Sequence, residues 1–169
     1  MADTTLARSE FLSQSAADFR FAIDRLVNSF NHVPADRLTW SPSPTSRTPV
    51  EVVGHTAQAI KNMLGNLTGE TFSIPNSEEA ERIFREEDRM YKEKDAVLAQ
   101  LNTNAEAYLA WLQGVSDEEL EEVLPMPFGL PSMPLRSVIG FMAIHAMCHA
   151  AQIDYIQTIY GDRDWHLGI

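Results

Sequence analysis

The sequence predicts an all-α protein, a four-helix bundle with a metal site at its centre. Three observations lead there. Apolar residues recur at steps of three and four in long segments, the mark of amphipathic helices. The segments between them are rich in proline, serine and glycine, and no internal repeat or convincing strand-like alternation interrupts the pattern. Third, histidines occupy positions on two of the inward stripes where a core would normally place Leu, Ile or Met.

The first helix is expected from about Thr5 to Phe30, with Leu12, Ala16, Phe19, Ile23, Leu26 and Phe30 on one face. The following stretch, NHVPADRLTWSPSPTSRTP, reads as a loop, with Trp40 as a plug against the end of the bundle. A second helix opens at TPVE: Thr48 can cap, Pro49 suits the first helical position, and Glu51 completes a capping box. Its inward stripe is expected to be Val52, His55, Ala59 and Met63, ending near Gly65.

From Asn76 to Asp95 both signs of charge alternate, which reads as a solvated helix face laced with i,i+4 pairs. Glu86, Glu87 and Asp88 are placed in solvent on that reading. A further helix runs from about Asp95 to Gln113 through Val97, Leu98, Leu101, Ala105, Tyr108, Leu109 and Leu112. Ser116 to Glu119, SDEE, can open a short turn of helix by the same capping chemistry. PMPFGLPSMP is a loop, because each proline removes a donor and clashes with the preceding turn. The last helix is expected to run unbroken from about Pro134 to Tyr160, with Gly161 as its stop.

The chain has 169 residues, enough for one domain with a real core. Its formal net charge of −11 repels phosphate backbones and anionic membranes alike, and no basic stripe offsets it. Neither nucleic acid nor a membrane is an expected partner. A single cysteine excludes an intrachain disulfide. The N-terminus lacks the basic start and apolar block of a signal peptide, and no apolar run is long enough to span a bilayer, so a cytoplasmic protein is expected.

On the last helix the stripe Leu135, Val138, Met142, His145, His149, Ile153 and Ile156 turns two histidines inward. At i and i+4 their Cβ atoms lie only about 6 Å apart, close enough to share an ion. His55 comes from another helix, so three imidazoles can converge within the bundle. A cluster of unpaired buried imidazoles is costly, whereas one divalent cation satisfies all three. Three protein nitrogens leave coordination positions open, which suits catalysis better than a closed structural site. Ala146 follows His145, so the general base of an HExxH protease is missing.

Cys148 lies about 100° around the helix from His149 and reads as a small buried hydrophobe. Gln152 either orients a histidine or bridges an interhelical contact. His32 and His166 are expected at the surface, and Met142 and Met147 in the core.

Three pieces of sequence, LTWSPSP at Leu38 to Pro44, TPVEVVGHTAQ at Thr48 to Gln58 and HAMCHAAQIDYIQTIYG at His145 to Gly161, together resemble the DinB-like (YfiT-like) superfamily of metal-binding four-helix bundles. The first is similar to a Trp-x-Pro segment before the second helix, the second to the helix that supplies the first ligand, and the third to an H-x-x-x-H-x-x-Q pattern closed by glycine. The resemblance implies His55, His145 and His149 as ligands of Zn²⁺ or Ni²⁺, with water completing the shell. It also implies a homodimer, a small-molecule substrate and, in several members, a low-molecular-weight thiol activated at the metal. An S-transferase or detoxification enzyme is therefore expected, with hydrolysis by activated water or a non-catalytic metal-binding role as the alternatives. Nothing in Phe72 to Asp95 matches a family motif.

Overall fold

The computed structural model describes residues 2–70 and 74–167, with side chains from Glu10 onward. Its long helices are α1 (Ala2–Asn31), α2 (Pro49–Leu67), α4 (Lys94–Gly114) and α7 (Phe141–Ile159). The shorter ones are α3 (Ser77–Asp88), α5 (Asp117–Leu120) and α6 (Leu135–Val138).

Around the bundle the order is α1, α4, α2, α7, since α1 packs on α4 and α7, and α2 packs on the same two. The segments from α1 to α2 and from α4 to α7 therefore cross the ends diagonally. That explains their length. α3 lies outside the four, against α2.

Each inward stripe feeds one continuous apolar core. α1 contributes Phe19, Leu26 and Phe30, and α4 contributes Leu101, Tyr108 and Leu112, all fully buried. The Phe19 and Tyr108 rings meet at 4.7 Å between centroids. Burial of this kind is worth about 1.5–3 kcal/mol per large apolar side chain, so the stripes, not helix propensity, hold the bundle together.

The start of α2 is as expected. Thr48 Oγ1 accepts from the Glu51 amide at 3.3 Å, and Glu51 Oε2 accepts from the Thr48 amide at 2.9 Å. The same reciprocal cap forms between Ser116 and Glu119 at α5. Trp40 is half-buried and sits edge-on to Tyr160 at the C-terminal end of α7, 5.9 Å between centroids, with the Arg37 guanidinium over both rings.

Four expectations change. Val52 is buried in the core as expected, but the core stripe of α2 continues through Val53, Ala57 and Ile60, while His55, Ala59 and Met63 form a half-buried stripe beside it that faces a cavity. The last helix is not continuous: a turn at Ile139 and Gly140 separates α6 from α7. The Ile139 carbonyl accepts a hydrogen bond from the buried Tyr108 hydroxyl at 2.8 Å, which gives the broken ladder a tertiary partner. Third, the proline-rich loop is clasped at its base by a two-residue antiparallel pair, β1 (Val123–Leu124) with β2 (Met133–Pro134). Fourth, Met147 is 38% exposed and is no core filler; it lies two residues from His145, on the outward side of α7. No described helix is long and apolar enough to cross a membrane.

Candidate metal centre

His55 projects from the middle of α2, and His145 and His149 from successive turns of α7, the helix packed beside it. One ring nitrogen from each lies within 4.8 Å of the others. The ring centroids are 5.3 Å apart for His55 and His145, 5.1 Å for His55 and His149, and 4.3 Å for the α7 pair. His145 Nε2 and His149 Nε2 approach to 3.0 Å. Nitrogens sharing a tetrahedral zinc ion at ~2.0–2.1 Å stand about 3.3–3.4 Å apart. The cluster fits a divalent ion with only small side-chain adjustment.

Two of the rings are oriented from behind. Gln152 Oε1 lies 2.8 Å from His149 Nδ1. An amide oxygen only accepts, so this contact puts the proton on Nδ1 and leaves the Nε2 lone pair facing the cluster. Of the two roles open to Gln152, the orienting one is observed. His55 Nδ1 faces Asp88 Oδ1 at 3.4 Å, and Asp88 Oδ2 accepts from Arg47 Nε at 2.6 Å.

Asp88 is thus no solvated carboxylate. It is 2% exposed, held between Arg47 and His55. A buried carboxylate requires such partners. The rest of the charge run behaves as expected, with exposed Glu86 and Glu87 and the pairs Arg82–Glu79, Arg82–Glu86 and Arg85–Glu81. A signal for Asp88 is present in the sequence: it continues the i,i+4 stripe Ala80, Phe84, the inward face of α3.

The other sequence candidates lie apart. His32 and His166 stack on each other at 4.1 Å, with His32 exposed and His166 half-buried against Asp162. Cys148 is exposed, not buried, because its rotation from His149 turns it out of the bundle. It opens onto a cleft of about 490 Å³ lined by Arg47, Arg85, Gln152, Tyr155 and Ile156. His55 and His145 themselves line a smaller chamber of about 160 Å³, bounded also by Met63, Phe84, Phe128 and Met142.

Residues 18–153 match the DinB superfamily. The chain belongs to the DinB superfamily. No curated protein matches its sequence. Among solved structures it is similar to YfiT from Bacillus subtilis, described as "a probable metal-dependent hydrolase with an unusual four-helix bundle topology". The two share 20% identity over 89% of this chain and 87% of that one, with a TM-score of 0.72. It is also similar to a conserved protein from Enterococcus faecalis, at 15% identity over 89% and 97% of the two chains and a TM-score of 0.68. A third similar structure is the sibling lethal factor precursor DfsB, at 14% identity over 89% and 97% and a TM-score of 0.74. At these identities the likeness carries the fold.

In this DinB-superfamily chain the α7 imidazoles are neutral at physiological pH. Burial drives His145 down to about 3, with His149, His55 and Arg47 adding like-charge repulsion. Burial also drives His149 down to about 4, against the opposing effect of the hydrogen bond it donates to Gln152. Neutral rings keep their lone pairs for a cation.

The same shifts set a pH dependence for the metal-free protein. Unfolded histidines take up protons as the pH falls through about 6.5, while the folded ones resist to about 4 and about 3. Between those limits the unfolded chain binds more protons, so stability is complete above pH 6.5 and is lost as the pH falls below it. In the presence of chelator, denaturant unfolding at pH 5 should show a loss on the order of 2–4 kcal/mol relative to pH 7.5. His145→Ala should flatten that slope.

Asp88→Asn removes the negative charge behind His55 and leaves the shape intact. Substitutions behind a metal-binding histidine commonly weaken affinity by about 10- to 100-fold. Competition against a chelating dye should show a loss in that range.

Proposed function

We propose that the protein is a metal-dependent enzyme in which His55, His145 and His149 hold one divalent ion, Zn²⁺ or Ni²⁺, and that it transfers a low-molecular-weight thiol to an electrophile. The observation that carries the reading is the convergence of three imidazoles, two of them oriented by Asp88 and Gln152, beside a chamber that His55 and His145 help to line. Imidazole suits several first-row metals, so availability decides which is bound. A divalent ion supplies there the acidity that makes a thiol or a water nucleophilic at neutral pH.

The chain's own residues do the rest. His55, His145 and His149 offer nitrogen donors from two rigid helices, which fixes the reacting groups in place. Arg47 balances Asp88 beside the ligand set, so the buried carboxylate can orient the His55 ring without adding an uncompensated charge. The larger cleft, with Arg47 and Arg85 on its wall, suits a polar co-substrate, and the smaller chamber suits the electrophile. In the reaction the thiol proton leaves to solvent and the sulfur lone pair forms the bond to carbon. The carbon–leaving group bond breaks, and its electrons depart with the leaving group.

Hydrolysis by water is the second reading, favoured by the description of the similar YfiT structure. Metal analysis of protein prepared without chelators, followed by turnover of an electrophile panel with and without added thiols, separates the two. Turnover that requires thiol supports transfer, and turnover without thiol supports hydrolysis. Stoichiometric metal with neither activity overturns both.

A further inference from the structure

We propose that the 160 Å³ chamber is a specificity pocket for a compact aromatic group, a single ring carried by the electrophile, and that Phe128 is the residue that shapes it. The proposal rests on the enzymatic reading above and names the substrate class for that same site.

Size comes first. An apolar protein cavity of roughly 150 Å³ accepts benzene and stays dry without it, so this chamber matches one six-membered ring in size. Its chemistry agrees. The Phe84 and Phe128 rings meet edge-to-face at 5.9 Å, and Phe84 stands edge-on to His55 at 5.9 Å. Met63 and Met142 add thioethers, which pack well against ring edges.

The polar groups in the wall besides the histidines are Asn62 and Asn66. The first accepts from Gln58 at 3.0 Å, and the second donates to the Pro125 carbonyl at 3.5 Å. Among the described residues, no Lys, Arg, Asp or Glu lines the chamber. Away from the histidine wall a charged substrate group would be desolvated without a partner, whereas an aromatic ring gains edge-to-face contacts. His55 and His145 form one wall, so a ring seated in the chamber presents its substituent to the ligand set.

Phe128 gives this pocket its shape at a conformational cost. Its φ of 62° lies in the left-handed region, where a bulky side chain is rare, and Gly129 follows at 74°. Strain of this kind persists where the surrounding structure over-determines it, and it collects at ligand sites. Here it brings the Phe128 ring, from the loop between β1 and β2, against Phe84 of α3.

The test uses fluorobenzene as the probe and the methionine methyl groups as reporters, on the full chain with metal removed. Saturable shifts are expected at the Met63 and Met142 methyls and not at the exposed Met90 and Met147. Phe128→Gly should weaken binding at least tenfold while relieving the backbone. Ala59→Leu fills the chamber from α2 and should do the same, which keeps the test decisive if the first variant folds poorly. In turnover, a benzyl electrophile should be preferred at least tenfold in kcat/KM over an equally reactive carboxylated one. That preference should fall in both variants.

Silent Met63 and Met142 methyls, or unchanged binding in both variants, overturn the pocket even if the enzyme turns over other electrophiles. Saturable ring binding at those methyls with no thiol- or water-dependent turnover instead overturns the enzymatic reading and, with it, the substrate role of the chamber.

Discussion

His149→Ala is expected to reduce bound metal from about one ion per chain to near zero while the fold survives. His149 is 7% exposed and sits within reach of both other imidazoles, 3.0 Å from His145 at the Nε2 atoms. Its removal leaves two nitrogen donors, one from each helix, and a two-point site holds a divalent ion weakly. The cost to the fold is small for two reasons. Gln152, its partner, is exposed and can turn to water. Moreover, an imidazole held down to about 4 is a liability below pH 6.5, and alanine removes it. Elemental analysis paired with thermal denaturation in chelator decides the matter. Unchanged metal content would show that the three histidines are not the binding site.

Gly54→Ala is expected to destabilise the protein by about 1–3 kcal/mol, although alanine is the better helix former. A Cβ at position 54 would stand 2.1 Å from Tyr91 Cδ2, 2.4 Å from Cγ and 2.6 Å from Cε2. Those are ring atoms, not the end of a flexible chain. Gly54 is buried mid-helix, where the gain in propensity is about 0.5–1 kcal/mol. The clash outweighs that gain and sets the sign. Tyr91 cannot yield cheaply, because its hydroxyl accepts from Gln100 Nε2 at 3.1 Å and its amide donates to the Asp88 carbonyl at 3.1 Å. Displacing it pulls on the turn that holds Asp88 behind His55. Metal affinity should therefore fall along with the denaturation midpoint. A stabilised Gly54→Ala protein would contradict the packing of Tyr91 on the α2 backbone.

The second prediction turns on how α3 and the segment after it meet α2. That junction is where sequence and structure part company. The 76–95 run reads as solvated because most of its charges are, and the pairs along Glu79, Glu81, Arg82, Arg85 and Glu86 bear that out. Asp88 departs from the pattern because it completes the Ala80–Phe84 stripe and meets Arg47, a residue 41 positions earlier. Local charge density carries no information about such a partner. Cys148 and Met147 show the converse. Both sit in an apolar run, yet a helix has an outer face, and the run alone does not say which of its members lie on it.

What the sequence determined by itself was whatever depends on short-range geometry. The 3.6-residue period placed Phe19, Leu26, Leu101 and Tyr108 in the core, and Thr48, Pro49 and Glu51 set the start of α2. The i,i+4 spacing put His145 and His149 on one helix face, and the apolar period of α2, together with the DinB resemblance, pointed to His55 as the third member. The tertiary structure decided the rest: the break at Ile139–Gly140, the burial of Asp88, the orienting contact from Gln152, and the chamber that His55 and His145 line. A helix period is a property of neighbours in the chain, whereas a buried charge or a cavity is made by residues that meet only when distant elements pack.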